Sequence, residues 1–411
     1  MSIGGRQVSL LLFWLPFAAA FLLYTVAVYW EHRAEQVSST SNRGLLTVIL
    51  LGSILFRLTL LFSPPSLSDD LYRYVWDGRM QNAGINPYLY SPNASEIASF
   101  RDEFYPGINN KPISTIYPPL TEFAFWLVDA LWHSPYAMKV FFTLCDLGIV
   151  ALVLGLLRYL RLPESRVLIY AWNPLILVEV AGSGHSDPLA VVLLLMALLA
   201  VVKRKPAGAI ILLALSFVAK FFSVVLIPAF YQSIRRVRPF FLFPLLILLF
   251  YLPYATAGKQ LFHGLLVYSD KWRFNDSLFT LFLYLTGSLS YSKALIGSLF
   301  LLAVLIRIFQ PPDPIKTAFV LIGAYLLLTP TFQPWYMVWI IPFLCLFPNP
   351  AWILLSGLVM ASYHVLILFA QVGIWKEAEW IRLVQFLPFY GLLLWGLARK
   401  YLVGSQRAVG T

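Results

Sequence analysis

Residues 45–62 read LLTVILLGSILFRLTLLF, and residues 66–92, three residues further on, read SLSDDLYRYVWDGRMQNAGINPYLYSP. The first stretch has the length and apolarity of a membrane-crossing helix, which needs roughly 17–25 residues to span the hydrocarbon core. The second sets three aspartates, two arginines and five aromatic residues side by side. Apolar runs of the first kind recur at residues 8–29, 140–157 and 352–369. They are apolar on nearly every side, whereas a membrane β-barrel needs alternating segments of about ten residues. A chain of 411 residues with 60% hydrophobic and 12% charged residues and a mean hydropathy of +0.76 is no soluble globular domain. The expected fold class is all-α, a polytopic transmembrane helical bundle forming one integral membrane domain over residues 1–411.

The two cysteines, Cys145 and Cys345, fall far apart inside expected spans and read as buried thiols. The run at 8–29 exceeds a signal-peptide core, so it is expected to be an uncleaved first helix. The net charge of +11 is informative through its distribution. Basic clusters sit between spans: Arg158, Arg161 and Arg166; Lys203, Arg204 and Lys205; Arg235, Arg236 and Arg238; Arg399 and Lys400. The positive-inside rule assigns all four to the cytoplasmic face. The polar stretch at 66–92 then falls on the outer face.

Two consequences follow. The apolar segment at 206–238 has basic clusters at both ends, so it is expected to be a hairpin of two short helices with Lys220 at its outer tip. The segment at 114–133, STIYPPLTEFAFWLVDALWH, must not cross; its prolines, Glu122, Asp129, Trp126 and Trp132 suit a helix lying in the interface. The count comes to about thirteen spans, with the N-terminus outside and the C-terminus inside. The first external loop, residues 64–137, holds 8 of the 19 acidic residues against 4 of the 30 basic ones. A second external loop, residues 255–276, is basic and aromatic.

Within the polar stretch, Ser68 can cap a helix whose first turn carries Asp69 and Asp70, where the helix dipole favours negative charge. Asp70, Arg73 and Asp77 share one face, flanked by Tyr72 and Trp76. Two adjacent carboxylates at a water–membrane boundary can form a general base, a metal site or a plain helix start. GSGHSDP, residues 182–188, is read as an external turn in which His185 and Asp187 could orient the base or the acceptor. A lone His-x-Asp lacks the further ligands of a zinc site, so no metal is expected. Gln333, Trp335 and Tyr336 lie at the outer end of a span and read either as sugar-stacking groups or as part of an aromatic belt.

In order along the chain, SDDLYRYVWDG with GINPY, YPPL, NPLILVEVAGSGHSD, FVAKFFSVVLIP, KWRFNDSLF and LLLTPTFQPWYMVWIIP resemble the GT-C class of integral membrane glycosyltransferases. Within that class the likeness is to the polyprenyl-phosphate-mannose-dependent mannosyltransferases of bacteria. The resemblance runs from Ser68 to about Pro342. It implies an acidic residue in the first external loop that activates an acceptor hydroxyl, and a lipid-phosphate sugar donor. Asp69 or Asp70 is then the base, with Asp69 preferred because Asp70 has the spacing to pair with Arg73.

A leaving phosphate needs cations where its charge develops. Lys220, Lys271 and Arg273 are the candidates, with Trp272 between the last two. Lys220 has the plainer reading of a snorkelling lysine, and SDKWRFND that of an interfacial belt, an even choice for Lys271, whereas Arg273 is preferred for function because a guanidinium can grip a phosphate with two bonds. The implied protein takes a polyprenyl-phosphate sugar and a glycan or lipid-linked acceptor, needs no cofactor, binds no nucleic acid, and works in the bacterial cytoplasmic membrane with its site facing outward. The alternative is a transporter or flippase of lipid-linked sugars, which would set its charges near the midplane of the bundle. An assembly partner without catalysis would tolerate loss of Asp69 and Asp70.

Overall fold

The computed structural model describes residues 3–37 and 43–409. Among these the chain is helical with no β-strand; the one extended pairing is an isolated parallel bridge between Phe274 and Thr331. Seven helices among the described residues are long and apolar enough to cross a membrane. An eighth arises if the bent pair Pro174–Gly182 and Asp187–Val202 counts as one span. The protein is therefore an integral membrane helical bundle, with fewer full spans than the thirteen expected. The difference comes from breaks that hydropathy does not register. Pro206–Ala219 and Pro314–Leu328 are 14 and 15 residues long, about 21–22 Å at 1.5 Å per residue, against a hydrocarbon core of about 30 Å.

Five helices in the first part of the chain frame the site: α1 (Ile3–Val37), α2 (Arg43–Leu61), α3 (Asp70–Asn82), α4 (Pro119–Leu131) and α5 (Pro135–Tyr159). Prolines begin both α4 and α5, where the missing N–H would have had no helical partner. Thirteen residues give α4 about 20 Å, too short to cross. It lies instead against α3, and the two meet at Gly78. A Cβ there would stand 2.5 Å from the Phe125 carbonyl oxygen and 2.7 Å from Asp129 Cβ, so the backbones approach as closely as they do because residue 78 has no side chain.

One expectation about this segment is overturned. Glu122 and Asp129 do not face headgroups; both are buried against α3. The apolar stripe that docks α4 takes its two acids inward with it, where Gln81 and Asn82 on α3 donate to them at 2.8 Å each.

Contacts between segments sort the bundle into two ends. At one end, Arg166 pairs with Glu35 of α1 at 2.8 Å, and the Tyr159 hydroxyl donates to the Val202 carbonyl. This end collects the basic clusters that follow α5 and Asp187–Val202. At the other end, α3 and α4 cover residues 183–187 and Lys220; Thr121 of α4 donates to the Ala219 carbonyl at 2.7 Å. Lys220 itself is extended, and it separates Pro206–Ala219 from the short helical stretches Phe221–Leu226 and Ile227–Ile234. The second arm packs on Pro314–Leu328 and Leu289–Ile308, and Gln232 reaches the carbonyls of Ile308 and Gln310. Lys220 thus stands at the turn between two short arms.

Between the ends, Arg57 of α2 and Asp146 of α5 form a buried ion pair at 2.6 Å. Tyr170 donates to Asp146, and Arg57 also donates to the Ser53 hydroxyl and the Ala171 carbonyl. Charge at this depth persists when it is paired, and here every guanidinium nitrogen except Arg57 Nη2 finds a hydrogen-bond partner among the described residues.

Candidate active site

Asp70 opens α3 with Asp69 in the capping position, and the Ser68 hydroxyl accepts the Asp70 N–H at 3.3 Å. The Asp70 carboxylate is half-buried. One oxygen accepts from Asn109 Nδ2 at 2.8 Å; the other lies 3.9 Å from His185 Nδ1. The expected pairing of Asp70 with Arg73 does not form. Arg73 grips both oxygens of Asp77, at 2.8 and 2.9 Å, and donates to the Ile113 carbonyl. The i,i+4 partner on the buried face wins over the i−3 partner at the exposed end. The reason for preferring Asp69 disappears with it.

Asp77 and Glu122 lie together in the buried seam of α3 and α4. Burial pushes the Glu122 carboxyl well above the usual range and Asp77 adds to the shift. At Asp77 burial also raises the carboxyl, but Arg73 opposes it. The Thr115 hydroxyl donates to Glu122 at 2.5 Å.

His185 sits at the apex of the bent pair, which turns by 119°. The approach to it is a π-helical turn, Leu177–Gly182, a distortion that recurs at functional sites. Gly184 then takes a φ of +79° in a gap where a Cβ would stand 2.6 Å from Leu71 Cδ1 and 2.9 Å from Lys139 Cγ. Only glycine satisfies both demands. The imidazole is 1% exposed and stacks on Trp335, centroids 3.9 Å apart and planes at 17°. Its Nε2 lies 3.2 Å from Glu179, a fully buried glutamate whose two oxygens accept from Tyr363 at 2.9 and 3.0 Å.

Two residues on, Asp187 begins the next helix, where the dipole favours its charge. It accepts from Trp339 Nε1 at 2.6 Å and from Lys220 Nζ at 3.2 Å. The Lys220 ammonium also lies 5.6 Å from the centroid of the Tyr336 ring. Tyr336 stacks on Trp339 and shares a hydroxyl contact of 2.9 Å with Tyr268, which stacks on Trp272. Asp70, His185, Asp187, Lys220, Trp335, Tyr336 and, through Tyr268, Trp272 therefore join one constellation.

Other expected members lie apart. Lys271 is exposed at the end of the helix His263–Lys271, and the described contacts do not join it to Asp70 or Lys220. Arg273 is held by Asp276 and Thr280 at 3.1 Å each, next to a second network in which Arg382 donates to Glu377 and Thr280. Gln333 is half-buried just before the short helix Pro334–Trp339. Trp335 has one ring face closed by His185, so at most the other is open to a sugar. Glu179, Tyr363, Asn109 and Trp339 were not singled out in the sequence. Glu179 could have been, as the lone acid in an apolar run; Asn109 and Trp339 carry no sequence signal of their own.

Residues 3–235 match the family described as "Alpha-(1->6)-mannopyranosyltransferase, N-terminal domain". The chain belongs to this family. It is a mannosyltransferase of the GT-C type, an enzyme embedded in the membrane, as the motif order from SDDLYRYVWDG onward implied. No curated protein and no solved structure matches it. The matched region contains Asp70, Glu179, His185, Asp187 and Lys220, and it ends before the aromatic wall formed by Tyr268, Trp335, Tyr336 and Trp339. Among the described residues no group of three or more His, Cys, Asp or Glu side chains converges as a metal site.

Proposed function

We propose that this mannosyltransferase moves mannose from a polyprenyl-phosphate donor to a hydroxyl of a glycan or lipid-linked acceptor, at the outer face of the bacterial cytoplasmic membrane. The observation that carries the reading is the placement of the half-buried Asp70 carboxylate and the partly exposed Lys220 ammonium on either side of the turn that holds His185 and Asp187. The reaction is a single displacement. Asp70 takes the acceptor's proton as the oxygen bonds to the anomeric carbon. The bond from that carbon to the phosphate oxygen breaks, and its electron pair leaves with the phosphate, inverting the configuration. Lys220 meets the charge that develops on the phosphate, held in place by Asp187 and Tyr336. No step calls for a metal ion or other cofactor.

Asp70 is favoured over Asp69 because it faces His185 and Asn109. A lipid-linked donor fits a site at the end of the bundle away from the basic clusters, since nucleotide sugars are made in the cytoplasm. Purified protein in liposomes, supplied with a defined acceptor and either polyprenyl-phosphate mannose or a nucleotide-linked mannose, tests the reading. Product is expected from the lipid donor only, and turnover with the nucleotide sugar alone would overturn the assignment.

A further inference from the structure

A base that takes a proton in every cycle must also lose it, and behind Asp70 stands a buried pair with no part in the displacement itself. Glu179 is fully buried in an apolar segment, so its charge needs partners. Its near neighbours are the Tyr363 hydroxyl, which donates to both oxygens, and His185 Nε2, which lies at 3.2 Å, within ion-pair distance but not aligned as a hydrogen bond. His185 cannot turn freely, because one face lies flat on Trp335 and the turn at Gly184 is packed on Leu71 and Lys139. Its two nitrogens therefore keep fixed neighbours, Nε2 at 3.2 Å from Glu179 and Nδ1 at 3.9 Å from Asp70.

We infer that Glu179 and His185 are positioning residues that unload the catalytic base: Glu179 holds His185 with its proton on Nε2, and the bare Nδ1 receives the proton that Asp70 has taken from the acceptor. This rests on the reading of Asp70 as the base. A gap of 3.9 Å is too long for a hydrogen bond and suits an ionised carboxylate facing a ring lone pair. Once Asp70 is protonated, its O–H can point at Nδ1 and the gap can close. The Asp70 O–H bond then breaks as the Nδ1–H bond forms. The resulting imidazolium is stabilised by the Glu179 carboxylate and the face of Trp335, and water removes the proton before the next cycle.

The charged and titratable groups around the ring are Asp70 and Tyr74 from α3, Glu179, Tyr363, and the Asp187–Lys220 pair. Lys139 completes the set, its ammonium turned away to the carbonyls of Leu60 and Ser63. Glu179 is the carboxylate within ion-pair distance of Nε2 among the described residues.

The test is the kinetics of mannosyl transfer by the full-length protein in liposomes across pH 5–9. His185→Gln and Glu179→Gln should each lower kcat by at least about tenfold, with the donor KM within about twofold of wild type. Asp70 and Nδ1 must both be unprotonated when a cycle starts, so the wild-type acid limb carries both. Losing the Glu179 charge makes the imidazolium harder to form, so Glu179→Gln should move the limb to lower pH; His185→Gln should leave only the part due to Asp70. Tyr363→Phe removes only the hydroxyl on Glu179. It should also move the limb, and it serves if Glu179→Gln does not accumulate. A loss of kcat with an unmoved pH profile marks a merely structural pair and overturns the inference, as does wild-type kinetics in the variants. Asp70→Asn separates the two readings. If it is inactive while the pair's variants behave as wild type, the relay alone falls; if it is active, the base assignment falls and takes the relay with it.

Discussion

Three aspartates, Asp70 and Asp77 on α3 and Asp187 beyond the bend, differ in what holds them. Asp70 keeps one amide donor and a half-open position, Asp77 is closed in by Arg73, and Asp187 is closed in by Lys220 and Trp339. Asp70→Asn should therefore cut mannosyl transfer by about 10²–10⁴-fold at normal abundance, because the amide keeps the shape and cannot take a proton. Asp69→Asn should cost far less. Equal loss in both, read as radiolabelled mannose moved to acceptor, would return the choice of base to an open question. Asp77→Ala should instead reduce folded protein, since it strands the buried Arg73 at a cost of about 3–5 kcal/mol. Glu122 gives a pH prediction. An unfolded glutamate titrates near 4.3, and the folded carboxyl titrates higher, so the folded state binds more protons between the two values. Its stabilising contribution is complete below the unfolded value and is lost as pH rises through the folded one. Glu122→Gln removes the titrating group, though its one carbonyl oxygen cannot accept from both Thr115 and Gln81; it should flatten that fall in thermal stability, and an unchanged pH slope would mean Glu122 is ionised in the fold. At this scale the sequence located the chemistry without apportioning it. The spacing of Asp70, Arg73 and Asp77 permits Arg73 either partner, and only the burial of α3 against α4 decides which.

Helices and their joins explain what could be read and what could not. Length and apolarity identified α2 and α5 as spans, and α4, apolar enough to pass for a span, was read as not crossing because Asp70 and the basic cluster after α5 must keep opposite sides. Breaks were harder. Lys220 was legible as a turn because basic clusters flank the segment on both sides, whereas the π turn at Leu177–Gly182 and the 119° bend after it have no periodicity to betray them. The crossing of α3 and α4 was also hidden, since a glycine in a helix carries no label for contact. Gly78→Ala should separate the two helices or force the Phe125 backbone to move, lowering thermal stability by an amount in the range of about 1–3 kcal/mol for overpacking and lowering activity with it through Asp70. Wild-type melting and kinetics would show that the seam can relax. The Arg57–Asp146 pair went unremarked inside two spans that were otherwise correctly placed. Asp146→Ala should be strongly destabilising, about 3–5 kcal/mol, and the double change Arg57→Met with Asp146→Leu much less so. Equal damage in the single and double variants would argue that the pair does more than join α2 to α5.

On the scale of the whole molecule, the sequence read one polar face and one basic face, and the fold collects those residues at two ends of one bundle. Asp70, His185, Asp187 and Lys220 meet although 150 positions separate the first from the last, because α3 and Asp187–Val202 begin, and Pro206–Ala219 ends, at the same end of the bundle. If the basic end is cytoplasmic, as the positive-inside rule requires, the site faces outward, and that is testable without any substrate. Gly184 is closer to the chemistry but unsuitable as a probe, being buried with a positive φ that a cysteine would strain. Asn93 and Lys259 are exposed in the two loops at the site end, and Lys203 and Arg236 are exposed at the basic end. Single cysteines at these four positions, in a chain whose Cys145 and Cys345 are changed to alanine, should divide cleanly. An impermeant maleimide applied to intact cells should label residues 93 and 259, and should label residues 203 and 236 only after the membrane is opened. The reverse pattern would put the site in the cytoplasm, where nucleotide sugars are available, and the lipid-linked donor would lose its physical reason. Labelling of residues 93 and 259 from opposite sides would break the single face itself, and with it the joint use of Asp70 and Lys220 on one donor.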